Sequence, residues 1–213
     1  FWDLNLLTWS KIYTMKYLFL FLLISMSSIV ISQNRYHVDK TTFALYDTVL
    51  YLKYDMKPFN GVLYCKYGDM GIYVKGKKDG LHRTWYENGQ LQSEYNYKDG
   101  KEDGLGRAWY EDGQLGAEKN YKDGKSNGLQ REWYKNGRLM FEWSEINNRQ
   151  NGLNTAWYST GRLWWKGNDV NHKKEGIWKG WYENGQLHYE INFKEDERIS
   201  QKCWDEDGNE IEC

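Results

Sequence analysis

Residues 80–101 read GLHRTWYENGQLQSEYNYKDGK. Two aromatic-rich runs in this stretch, 81–86 and 90–97, carry apolar residues at alternate positions, and two groups of turn formers, Asn88-Gly89 and 98–101, follow them. A period of two bounded by turn residues predicts strands, and Asn-Gly is the strongest short-range hairpin signal because both residues tolerate positive φ. The stretch therefore predicts one β-hairpin and the turn that leads to the next.

The hairpin recurs every 24 residues. Gly80, Gly104, Gly128, Gly152 and Gly176 open five units, each followed by Leu81, Leu105, Leu129, Leu153 or Ile177. Trp85, Trp109, Trp133, Trp157 and Trp181 follow at a constant offset, each with a tyrosine next to it: Tyr86, Tyr110, Tyr134, Tyr158 and Tyr182. A second glycine column (Gly89, Gly113, Gly137, Gly161, Gly185) and a second leucine column (Leu91, Leu115, Leu139, Leu163, Leu187) complete the pattern. A fixed period of this length is the signature of a repeat architecture. After residue 32 no stretch has a convincing helical period, so the expected fold is all-β, a single elongated antiparallel β-hairpin meander, preceded by an N-terminal signal helix.

Charge supplies the register. With Asn88-Gly89 as a two-residue loop, Arg83 faces Glu94, and the same rule pairs Arg107 with Glu118, Arg131 with Glu142 and Lys179 with Glu190. Opposite charges across a strand pair favour that alignment. In the fourth unit Thr155 and Lys166 replace both members, leaving no like-charge clash inside the hairpin. This register puts Tyr86, Leu91, Ser93 and Tyr95 on one face, and Leu81, Arg83, Trp85 and Glu94 on the other. Rings on both faces need cover, which a twisting sheet provides when neighbouring hairpins stack their side chains.

The expected organisation is upstream residues and a signal peptide over 1–32, an N-terminal cap over 33–57, a degenerate repeat over 58–79, five repeats over 80–199 and a C-terminal cap hairpin over 200–213. Lys16 precedes a fifteen-residue, mostly apolar run over 17–31, too short to span a bilayer but suited to a signal-peptide core, with Val30 and Ser32 as the small residues before a cut. Cleavage after Ser32 exports the protein to the periplasm, the outer surface or the medium; an uncleaved run leaves it membrane-anchored. Met15 just before Lys16 marks residues 1–14 as upstream sequence. Within the cap, 49–54 reads as a strand and 41–47 as a strand or a short turn of helix.

Export would place Cys65, Cys203 and Cys213 in an oxidising compartment. Cys203 and Cys213 flank the turn at Asp207-Gly208-Asn209. A three-residue loop would set them opposite one another and allow a disulfide, whereas a two-residue loop would put them on opposite faces.

The 24-residue pattern, as it stands in 80–101, resembles the bacterial variant of the MORN repeat (membrane occupation and recognition nexus). The resemblance is good over 80–199 and ragged to Pro58 and Cys213. It implies a β-hairpin solenoid without catalysis of its own. Proteins of this kind are often antitoxin components of bacterial toxin modules or exported proteins, and eukaryotic relatives are linked with membrane lipids and scaffolding. The third and fourth units depart from the pattern at 144–148 and 168–172, where turns of a different shape are expected.

Chemistry-bearing motifs are few. His37, His82, His172 and His188 have no metal-ligand spacing, and no phosphate loop, nucleophile elbow or Cys-x-x-Cys is present. Asp205, Asp207 and Asn209 alternate as calcium ligands do, but the glycine at Gly208 is misplaced for a calcium loop, and a plain turn accounts for them as well. The expectation is no enzyme, no metal and no cofactor. Lys and Arg total 29 against 30 Asp and Glu, without the basic surplus that nucleic acid needs and without the basic cluster that an anionic membrane needs.

Met140, Phe141, Trp143, Trp164 and Trp165 stand where the first unit has Gln92, Ser93, Tyr95, Gln92 and Ser93. The repeat does not require these rings, and tryptophan is enriched at interface hot spots. They form the candidate partner-binding surface, or else a thicker local core or a self-association surface. The functional expectation is an exported, non-enzymatic protein-binding module or scaffold whose partner could be a toxin. A carbohydrate or cell-envelope surface is the alternative, with membrane-lipid association third.

Overall fold

The computed structural model describes residues 35–38, 43–46, 49–52 and 56–213, so the expected signal helix and the cut after Ser32 lie outside the described residues. Two compact units divide between Lys77 and Lys78.

In the first unit, Gly61–Cys65 and Gly68–Val74 form an antiparallel hairpin. Arg35–His37 pairs with Gly61–Cys65 in parallel, the one departure there from the expected antiparallel pattern. Phe43–Tyr46, Val49–Leu52 and Lys57–Pro58 form a separate three-stranded sheet, so the stretch left open between strand and helix is a strand. Phe59 is fully buried, with the rings of Tyr36 and Tyr73 at 5.1 and 5.7 Å. Its backbone N–H donates to Leu50 and its carbonyl accepts from Gly76. Gly76 must be glycine: at φ +75° a Cβ would sit 2.4 Å from the Leu50 carbonyl oxygen.

The second unit is the meander. Its hairpins are Lys77–Trp85 with Leu91–Lys98, Lys101–Trp109 with Leu115–Lys122, Gly128–Trp133 with Leu139–Ile146, Gly152–Trp157 with Leu163–Val170, and Lys173–Trp181 with Leu187–Lys194. Glu197–Trp204 and Glu210–Ile211 close it. Each hairpin pairs with the next, always antiparallel, and the sheet does not close into a barrel.

The two turns of each unit exchange the roles expected of them. At Asn88-Gly89 the loop has three residues, Glu87 to Gly89: the Tyr86 N–H donates to the Gln90 carbonyl and the Gly89 N–H to the Tyr86 carbonyl. Only Gly89 is left-handed, at φ 88°. That geometry is a type I turn followed by a left-handed glycine. The Asn88 side chain fixes it by accepting from the Gln90 N–H at 2.9 Å. The two-residue turn with both residues at positive φ is instead Asp99-Gly100 (51° and 86°). Asn147-Asn148 (52° and 66°) and Asn171-His172 (52° and 70°) repeat it, so the expectation of differently shaped turns in units three and four does not hold. Asparagine, and less often histidine, enters the left-handed region at low cost.

The three-residue loop would have shifted every cross-strand pair by one. A bulge cancels the shift: Thr84 pairs with Ser93 but Trp85 with Leu91, leaving Gln92 as the extra residue. Arg83 therefore still faces Glu94, at 2.7 Å, as do Arg107 and Glu118 at 2.8 Å, Arg131 and Glu142 at 2.8 Å, and Lys179 and Glu190 at 2.7 Å. Leu91, however, shares the face of Trp85 and not that of Ser93 and Tyr95. Bulges bend a strand and add right-handed twist, which supplies the coiling that the uncovered sheet requires.

Two features bind one unit to the next. Each tyrosine beside a column tryptophan donates its hydroxyl to the following unit's tryptophan carbonyl: Tyr86 to Trp109, Tyr110 to Trp133, Tyr134 to Trp157, Tyr158 to Trp181 and Tyr182 to Trp204, at 2.6 to 3.0 Å. The second residue of each two-residue turn donates its N–H back to the preceding unit, as Gly100 does to Lys78 and Gly124 to Glu102.

Candidate functional site

Alternation sorts the meander into two faces. One carries the charges, and cross-hairpin pairing extends the four expected pairs into a single row: Arg83, Glu94, Arg107, Glu118, Arg131, Glu142, Thr155, Lys166, Lys179, Glu190 and Lys202 stand opposite one another in sequence. Within the fourth hairpin no like charges meet, but across to the fifth Lys166 stands opposite Lys179. The clash that the hairpin alone avoids is thus displaced to the next strand. Lys166 leans over the Trp181 ring, 5.7 Å from its centroid, while Lys179 takes Glu190.

The other face carries the burial. Its most buried column is the second position after the opening glycine: His82 is 7% exposed, Gln130 1%, Asn154 2% and Trp178 7%, and Gly106 is buried too. The sequence conceals this column because its residue types share no property. Glycines there accept rings from the neighbouring strand. A Cβ on Gly106 would lie 2.3 Å from the Tyr95 ring, on Gly167 2.0 Å from Trp178, and on Gly180 2.2 Å from Tyr189. Rings lying flat over a neighbouring strand cover the face without a second layer.

Three of the five candidate residues meet on this face. Phe141 and Trp165 lie 6.3 Å apart between centroids, Trp165 stacks on Trp178 at 5.3 Å, and Trp178 meets Phe193 edge-on at 6.2 Å. Phe141, Trp143 and Trp165 line a pocket of about 220 Å³ rimmed by Glu132, Gln150 and Asn154. The Trp143 indole N–H donates to Glu145 at 3.0 Å and its ring receives Lys119 at 5.9 Å. The pocket exists because Asn154 occupies the column that Trp178 fills one unit later. The remaining two candidates stand apart. Trp164, 41% exposed, is the bulge residue of its hairpin and packs on Tyr158 at 5.7 Å, as His188 does on Tyr182 at 4.2 Å. Met140 takes the same bulge position in the third unit. Sequence reasoning missed Trp178, whose only signal was a ring in a column otherwise small or polar.

Asn154 donates to Asp169 at 2.5 Å, but its own buried side-chain oxygen has no hydrogen-bond partner among the described residues. Burial pushes the Asp169 carboxyl above its ordinary range, with the Asn154 hydrogen bond opposing the shift. Tyr121, 6.0 Å from Tyr95, is pushed up to about 12, mainly by burial and then by Tyr95, Glu102 and Glu145.

Cys203 and Cys213 are bonded, with Cα atoms 5.2 Å apart. Cys203 stands opposite Ile211 and not Cys213, because the three-residue loop is Glu206 to Gly208, closed by the Asp205 N–H donating to the Asn209 carbonyl; the bridge therefore runs diagonally instead of between directly opposed residues. Cys65 is unbonded and half-buried. Asp205 organises the loop by accepting from the Asp207 and Asn209 backbone N–H groups at 3.1 and 2.8 Å. The Asn209 side chain, followed by its backbone, holds the Asp205 carboxyl below its ordinary range. Among the described residues no group of three or more His, Cys, Asp or Glu is placed to hold a metal ion, and no helix is long and apolar enough to cross a membrane.

No curated protein matches the chain significantly. The family described as MORN repeat variant matches at 78–99, 102–123 and 174–195. These starts differ by 24 and 72 residues, so the matches are the first, second and fifth hairpins; the two unmatched units between them are those that hold the ring pocket. What the matches show is that these three hairpins are similar to the MORN repeat variant.

Proposed function

We propose that the protein is an exported, non-enzymatic binding module that holds a protein partner on the ring-lined face of its third and fourth hairpins. One observation carries this reading: Phe141, Trp143 and Trp165 surround a pocket at positions where the repeat itself needs no rings. The second unit folds into the same hairpin with Ala117 and Lys119 at these positions, so the architecture does not require rings there. Aromatic anchors around a concavity are what interface hot spots require. Export rests on the apolar run at 17–31. An antitoxin or immunity role, with a toxin as the partner, extends the family resemblance and is tested by finding a toxin gene next to this one. Affinity capture from the native host tests the module: the wild-type chain retains a partner that Trp143→Ala and Trp165→Ala lose. Retention of every partner by both variants would overturn it.

The polar rim of the pocket, with Gln150, Asn154 and Glu132 beside ring faces, favours a carbohydrate as the second reading, since small-ligand sites combine apolar walls with a few polar groups. A glycan array that retains no ligand would remove it. Membrane-lipid association is third, and liposome flotation of the chain lacking 1–32 tests it.

A further inference from the structure

The charge row is broken at one place. In units one, two, three and five a glutamate stands at the position of Lys166 and meets the hairpin's own cation at 2.7 to 2.8 Å. In unit four the glutamate is replaced by Lys166, its cation by Thr155, and the next strand contributes Lys179. Two lysines therefore stand opposite each other in the pairing where the rest of the row alternates, and like charges directly opposite in a sheet are unfavourable. Leaning over the half-buried Trp181 ring relieves Lys166 only in part, because a cation over a ring that solvent still reaches is a weak interaction.

A second observation coincides with the break. On the same face, Leu153 lies two residues before Thr155 and Ile177 two residues before Lys179, and they are 58% and 53% exposed. Their equivalents Leu81, Leu105 and Leu129 are only half-exposed. Large apolar side chains are thus uncovered on one side of the lysine pair, and the half-buried rings of Trp157 and Trp181 lie on the other.

Resting on the binding-module reading, we propose that the surface centred on Lys166 and Lys179 docks a segment of a partner protein that presents a carboxylate side chain flanked by apolar residues. The incoming carboxylate supplies the negative charge that the row lacks, between two cations, as Glu118 lies between Arg107 at 2.8 Å and Arg131 at 4.0 Å. The apolar flanks cover Leu153 and Ile177. This surface is on the face opposite the ring pocket, since Lys166 follows Trp165 and Glu142 follows Phe141 along their strands.

The probe is a capped Leu-Glu-Leu peptide, compared with capped Leu-Gln-Leu and with inorganic phosphate, titrated into the full chain and followed by backbone amide chemical shifts. Saturable shifts at Leu153, Lys166, Ile177 and Lys179 are expected, with the glutamine peptide binding about tenfold more weakly, the loss that follows from replacing a charged partner by a neutral one. Lys166→Glu restores alternation within the chain, so it is expected to unfold at or above the wild-type temperature and to lose the glutamate peptide by at least about tenfold. Lys125→Glu, the same charge change elsewhere, should bind as wild type does. Equal binding of both peptides, equal shifts from phosphate, undiminished binding by Lys166→Glu or a lower unfolding temperature for it would each overturn the proposal. None of these results touches the ring pocket, so loss of partner capture by Trp143→Ala would still sustain the module reading.

Discussion

Replacing Tyr134 with phenylalanine deletes one oxygen atom and leaves the ring where it is. The oxygen donates to the Trp157 carbonyl at 2.8 Å and ties unit three to unit four, while the ring keeps its packing. A neutral hydrogen bond of this kind contributes about 1 kcal/mol net, and the half-buried site places it within the usual 0.5–1.5 kcal/mol range. With a urea slope of ~2 kcal/mol per molar, the midpoint falls by about 0.5 M, and the melting temperature by roughly 2–4 °C for a chain of this size. Tyr110→Phe, whose donor bond to Trp133 is 2.6 Å, should show a loss of the same size. Because stability in a repeat array sums over neighbouring interfaces, the double variant should lose the sum within ~0.5 kcal/mol. Tyr189→Phe is the control, its hydroxyl making no hydrogen bond to a described residue, and should leave the midpoint in place. Midpoints for Tyr134→Phe and Tyr189→Phe that cannot be told apart would refute the claim that these hydroxyls join the units.

Asp169→Asn should stabilise the chain above pH 4. A carboxyl whose folded pKa is raised binds its proton more tightly in the native state, so ionisation opposes folding; that cost is absent below the unfolded value of 3.8 and complete once pH passes the raised folded value. Melting temperature against pH should show a gain that vanishes at pH 3.5, and an equal gain at every pH would contradict the assignment. Gly167→Ala puts a Cβ 2.0 Å from the Trp178 ring, which must move; a cost of about 1–3 kcal/mol and a changed near-UV dichroism of the Trp165–Trp178 stack are expected. Cys213→Ser opens a bridge of sequence separation 10 and should cost up to roughly 2–3 kcal/mol in the chain-entropy view. Hydrogen exchange should locate that loss in Glu197–Trp204 and not in the first hairpins.

The fold was legible because its determinants recur. Five copies of Trp-Tyr and of a glycine followed by leucine or isoleucine, with four cross-strand charge pairs, set strands, turns and register, and the register survived an error in the turn. Asn-Gly fits either the centre of a two-residue loop or the end of a three-residue one, and the bulge at Gln92 compensates for the difference, so pairing rules derived from Arg83 and Glu94 are blind to it. Leu91 changed faces for the same reason. The site was half legible. Phe141, Trp143 and Trp165 stood out against the repeat, and the structure brings them together. Trp164 stood out equally but belongs to a bulge and packs on its own unit's Tyr158. Burial at His82, Gln130, Asn154 and Trp178 left no sequence trace, because that column is defined by its place beneath neighbouring rings and admits any side chain that can satisfy itself there. The Lys166–Lys179 pairing was missed because it lies across the Asn171-His172 turn, beyond a bulge between Lys166 and Asn168 that shifts the register which the turn alone would set.

The central claim is that the third and fourth hairpins hold a partner surface beyond what the repeat needs. Reverting Phe141→Ser, Trp143→Tyr and Trp165→Ser together gives these positions the residues of the first unit, which folds with them. Calorimetric titration of this variant with the partner captured from the host should show affinity reduced on the order of 30-fold or more, the equivalent of a hot spot of ~2 kcal/mol, with a cooperative melt retained. A folded variant that binds the partner with unchanged affinity would contradict the account.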